Sequence, residues 1–111
     1  MHINTKQLAR TTVVEVTGRV DHSTASDLAR TLAELIGRQQ RNLVVDLSGV
    51  DYVSSAGLKA LLTAHKETTN KHNGDVRLAG LQPQVSETIR TVGFDKIFRI
   101  YPTPVEAVGS F

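Results

Sequence analysis

The stretch Leu43-Val44-Val45-Asp46-Leu47 is apolar at every position but Asp46 and has no polar face to turn toward water. It is too short for a buried helix. A strand of this kind is covered on both sides, as in the interior of a mostly parallel sheet with helices packed against it. The chain must therefore supply further strands beside this one and helices to cover it.

Both are legible. Thr12–Val20 carries Val13, Val14, Val16 and Val20, a β-branched strand ending near Gly18, and Ile3–Leu8 reads as its hairpin partner across a turn at Ala9–Thr11. Asp21-His22-Ser23 supplies helix-start chemistry, and Ala25, Leu28, Leu32, Leu35 and Ile36 recur at helical spacing, with Gly37 and the basic run Arg38–Arg41 at the helix end. Leu58, Leu61, Leu62 and His65 mark a second helix reaching the polar Asn70–Gly74 segment, and Val76–Gly80 is a further strand. Pro83 opens a third helix with Val85, Ile89 and Val92 inward and Gly93 as its stop; Ile97–Tyr101 reads as a last strand. Thr103-Pro104-Val105-Glu106 matches a capping box with proline at the first helical position. Strands alternating with helices across short connections define an α/β fold with right-handed crossovers.

The 111 residues, 40% of them hydrophobic, suit one domain spanning 1–111. With no cysteine, nothing points to disulfides, thiolate chemistry or an oxidising compartment, and no apolar run is long enough to cross a bilayer. The expectation is a soluble, cytoplasmic protein without membrane insertion. Thirteen basic and eleven acidic residues are interspersed, and the aromatic residues are three Phe and two Tyr. This pattern argues against nucleic acid, which calls for clustered cations and stacking aromatics.

Chemistry in open α/β sheets concentrates at the carboxyl ends of strands. There this chain places Ser54 and Ser55, just ahead of the Leu58-Leu61-Leu62 helix. Serine is a preferred helix cap, yet a cap needs only one hydroxyl. A nucleophile elbow would want glycine two positions before the serine, and neither Ser54 nor Ser55 has it. His2, His22, His65 and His72 form no metal-ligand or catalytic spacing, and no glycine-rich phosphate loop occurs. The residues point to no catalytic group, no metal and no cofactor.

A serine hydroxyl can instead be a substrate. Phosphate at a helix N-terminus is favoured by free N–H groups and the helix dipole, and it adds about −1.5 to −2 charges. Opposite a partner carboxylate about 6 Å away, such a dianion is repelled by roughly 1.4 kcal/mol at the dielectric of water and about 5.5 kcal/mol at an effective value of 20. One hydroxyl can therefore switch binding.

The run Asp46-Leu47-Ser48-Gly49-Val50-Asp51-Tyr52-Val53-Ser54-Ser55-Ala56-Gly57-Leu58, followed by Leu61-Leu62, resembles the signature of the STAS domain, named for sulphate transporters and anti-sigma factor antagonists. Gly18-Arg19-Val20-Asp21, ahead of the helix with Ala25 and Leu28, resembles the family's other marker. The resemblance implies a sheet core of about four strands plus an N-terminal strand, flanked by about four helices. For stand-alone bacterial members it implies a non-enzymatic anti-sigma factor antagonist that acts by partner switching. The unmodified protein binds an anti-sigma factor serine kinase and frees the sigma factor; phosphorylation separates the complex, and a metal-dependent serine phosphatase resets it. The acceptor implied here is Ser55, two places before Gly57. The partner surface implied comprises Asp21, His22, Ser23, Ser54, Ser55, Ala56, Gly57, Leu58 and Lys59. Family members often carry aspartate where this chain has Ser54, which leaves two candidate hydroxyls. The same family also contains accessory subunits that bind the ATPase of a lipid transporter, the alternative reading.

Overall fold

The computed structural model describes residues 1–111, apart from the side chain of His72. Its elements run β1 (His2–Leu8), β2 (Thr11–Val20), α1 (Ala25–Gly37), β3 (Asn42–Val53), α2 (Ser55–His72), β4 (Asp75–Ala79), α3 (Pro83–Thr91), a 3-10 turn (Phe94–Lys96), β5 (Ile100–Tyr101) and α4 (Pro104–Gly109). The strands form one sheet in the order β1-β2-β3-β4-β5, with β1 antiparallel to β2 and the rest parallel. This is the expected α/β architecture.

Strand alternation divides the central residues between two faces. Val14, Leu43, Val45 and Leu78 pack with Leu28, Leu32, Leu61 and Ile89 of α1, α2 and α3 in the main core. Val13, Val44 and Ala79 face the other way, against Ala107 of α4. The apolar run in β3 is thus covered on both sides, as its composition demands. On the α4 side Arg77 is also buried; its guanidinium pairs with Asp75 at 3.0 Å, donates to Ser110 Oγ at 2.6 Å and lies 3.9 Å from the centre of the Phe111 ring. These contacts tie the chain end to the sheet.

Several boundaries differ from expectation for local reasons. β3 continues past Leu47 to Val53, because Gly49 opposes Thr17 at a register shift where a Cβ would lie 2.6 Å from Thr17 Cγ2. Glycine there permits close strand approach rather than ending the strand. α1 starts at Ala25, after a turn through His22–Thr24, and not at Asp21-His22-Ser23. Val92 is exposed instead of inward, because α3 ends at Thr91 and Val92 is its C-cap. Ile97 follows the 3-10 turn and is exposed, so β5 is confined to Ile100–Tyr101 on the sheet edge. α2 extends through the Asn70 region, closed by Asn73 in the left-handed conformation. Thr103 caps α4 as expected, its hydroxyl accepting from the Glu106 N–H at 3.2 Å.

Leu61 is fully buried in the main core. Leu61→Ala is expected to cost about 2–5 kcal/mol, seen in urea titration as a lower midpoint with an unchanged slope.

Candidate functional site

The parallel register pairs Val20 with Val53, so β2 and β3 end side by side. The turns into α1 and α2 leave the sheet at this edge, and the Ser54 N–H donates to the Val20 carbonyl at 2.8 Å, tying them together.

The two serines have separate surroundings. Ser54 is extended (φ −79°, ψ 171°) and is the N-cap of α2; its Oγ accepts from the Gly57 N–H at 3.2 Å, and its carbonyl accepts from the Leu58 N–H at 2.9 Å. Ser55 is the first helical residue, exposed, and its hydroxyl has no hydrogen-bond partner among the described residues. Gly57 sets how deeply the helix start is seated. A Cβ there would stand 2.7 Å from Val20 Cγ1 and 2.9 Å from Val53 Cγ1, so only glycine lets α2 descend onto both strand ends without displacing them. Gly57 and Leu58 are buried and shape the turn, whereas Ser55 and Lys59 face outward.

Asp21 organises the adjoining turn. Its Oδ1 accepts from the Ser23 hydroxyl at 2.7 Å, the Ser23 N–H at 2.9 Å and the Thr24 N–H at 3.2 Å. The Ser23 hydroxyl, with the backbone donors, holds the Asp21 carboxyl below its usual range against an opposing effect of desolvation. The contribution of Asp21 to the turn is therefore full at neutral pH and is lost as pH falls through that lowered value. Arg19 lies 3.6 Å from Asp21 Oδ2 and 4.0 Å from the centre of the Tyr52 ring, opposite it in the β2–β3 register.

Between α1 and α2 runs a groove of about 320 Å³ floored by Ala25, Ala29, Ala33, Ala56, Ala60 and Ala64. His22 and Lys59 line its end nearest Ser55, and Glu67 lines it farther along α2. The structure thus brings His22, Ala56 and Lys59 together beside Ser55. Alanine spacing on two helices carries too little amphipathic contrast to reveal such a groove, and the Arg19–Tyr52 stack depends on a register that no local pattern encodes.

No histidine is hydrogen-bonded to either serine among the described residues. His65 instead pairs with Asp75 at 3.3 Å and meets Phe98 edge-on with ring centres 4.9 Å apart. The arrangement provides a hydrogen-bonded turn beside which Ser55 presents a free hydroxyl.

The STAS domain model matches residues 2–107. The chain belongs to the STAS-domain family. RsfB of Mycobacterium tuberculosis, an anti-sigma-F factor antagonist, is 32% identical over 99 residues, covering 86% of this chain and 77% of RsfB. An anti-sigma factor antagonist from Mycobacterium paratuberculosis superposes with a TM-score of 0.89 at 28% identity, covering 98% of this chain and 92% of that one. SpoIIAA, a Bacillus cell-fate determinant solved in its phosphorylated form, shares the fold with a TM-score of 0.78 at 16% identity over 98% of each chain. Among the described residues no helix is long and apolar enough to cross a membrane.

The serines of this STAS domain are separable by stability. Ser54→Ala should cost about 1 kcal/mol in urea unfolding through loss of the cap, while Ser55→Ala stays within about 0.5 kcal/mol of the parent. Gly57→Ala is expected to cost about 1–3 kcal/mol, and combined with Val20→Ala the loss should be smaller than the sum of the two single losses, because the first clash is with Val20.

Proposed function

We propose that this STAS domain is an anti-sigma factor antagonist that works by partner switching, with Ser55 as its phosphoacceptor. The observation that carries this reading is the division of labour at the turn: Ser54 is engaged as the α2 cap, and Ser55 offers an exposed, unbonded hydroxyl one residue later. The names of the sequence relatives support the regulatory class.

In its unmodified state the chain binds an anti-sigma factor that is also a serine kinase, through Ser55, Lys59, His22 and the Asp21–Ser23 turn. The sigma factor is thereby released in the cytoplasm. Within the complex Ser55 Oγ attacks the γ-phosphorus of ATP; the Oγ–P bond forms, the bond to the ADP oxygen breaks, and the hydroxyl proton passes to a base of the kinase. Because Ser54 holds the cap independently, a phosphate on Ser55 leaves α2 seated and alters only the surface. A metal-dependent serine phosphatase returns the hydroxyl. The chain itself supplies no catalytic group.

Incubation with the cognate anti-sigma kinase and ATP, followed by intact-mass analysis, tests the site. The parent and Ser54→Ala should each gain one phosphate, and Ser55→Ala none. Equal phosphorylation of Ser55→Ala overturns the assignment. A purified transporter ATPase binding Ser55→Ala and Ser55→Asp equally, with the anti-sigma kinase binding neither, would overturn partner switching in favour of a transport role.

A further inference from the structure

Lys59 stands four residues after Ser55 on α2, and both are exposed. Positions i and i+4 share one face of a helix, with Cβ atoms about 5–6 Å apart, and an anion placed N-terminal to lysine at this spacing is the favourable orientation. Lys59 has no ion-pair or hydrogen-bond partner among the described residues. Its neighbours at three and four positions along α2, Ser55, Ala56, Leu62 and Thr63, carry no charge. Its side chain lies against the alanine groove, which the aliphatic stem can cover while the ammonium stays in water. The helix thus holds a cation with no anion beside it, one turn from a free hydroxyl.

We propose that Lys59 is the intramolecular counter-ion of a phosphate on Ser55. This deepens the phosphoacceptor reading and rests on it for its biological setting, though not for its chemistry. Modification then does two things at one spot. It adds the phosphate, and it engages the ammonium that the unmodified chain offers at the mouth of the α1–α2 groove. An acidic side chain of the partner seated on Lys59 would lose its counter-charge and face an anion in the same event.

The charged groups around this position are His22 and Glu67, which line the same groove, Arg19 at the end of β2 and Asp21 on the neighbouring turn. The test uses the full chain with phosphoserine installed at position 55 during translation, so that no kinase is needed, and His22→Gln in every sample, so that no imidazole titrates nearby. Phosphorus NMR then follows formation of the phosphate dianion against pH. With Lys59 present the dianion should form at a pH about 0.2–0.4 lower than in Lys59→Gln, from the usual strength of such a pair. Lys59→Arg should keep the difference, and about 1 M salt should shrink it. Superimposable titrations of the Lys59 and Lys59→Gln chains overturn the proposal. This result is distinct from failure of the kinase assay, which concerns whether Ser55 is modified and leaves the fate of the phosphate untouched.

Discussion

The close approach of α2 to the ends of β2 and β3 is the constraint on which the rest of this molecule's surface depends. Gly57 makes it possible, since any Cβ would collide with methyl groups of Val20 and Val53, and the Ser54 N–H bond to the Val20 carbonyl fixes the approach from the backbone side. Those valines are themselves paired across the sheet and buried in the main core. The position of an exposed hydroxyl is therefore determined by the packing of the interior. A surface that must be recognised in one state and rejected in another gains from such anchoring, because little of the difference between states is lost to local rearrangement.

Most of the fold was legible because its signals are local. The apolar run at Leu43–Leu47, interrupted only by Asp46, implied a strand covered on both sides, and the burial of Val44 toward α4 and Val45 toward the larger helices shows the cover. The stripe through Leu28, Leu32, Leu35 and Ile36 required a helix lying on that sheet. What was not legible depends on tertiary contact. The continuation of β3 past Leu47 rests on Gly49, which accommodates Thr17 in the neighbouring strand. Val92 looked like a core residue and Ile97 like the start of the last strand, yet each falls just past a helix end, where the backbone no longer follows the expected period.

The site shows the same division. The chain pattern indicated two serines at a strand-to-helix turn and could not say which one was free, since either can serve as a cap. The answer lies in a backbone conformation, the extended Ser54, and in one hydrogen bond to Gly57. Asp21 looked like a helix cap and organises instead a separate turn ahead of α1, which leaves its carboxylate beside Arg19 at the same sheet edge. The groove between α1 and α2 carried no readable signal, because an alanine suits a helix facing water as well as one facing another helix.

Separating the cap from the free hydroxyl has a mechanical consequence. Were one serine to serve both roles, modifying it would remove the acceptor for the Gly57 N–H and loosen the helix start, so that charge and fold would change together. In this chain the cap bond belongs to Ser54, and a charge placed at Ser55 would fall on a helix end whose dipole already favours an anion. A phosphate there opposes none of the contacts that seat α2. Its effect must therefore be exerted outward, on whatever lies against Ser55, Lys59 and the adjoining turn, which is the behaviour expected of a reversible binding switch rather than of a destabilising mark.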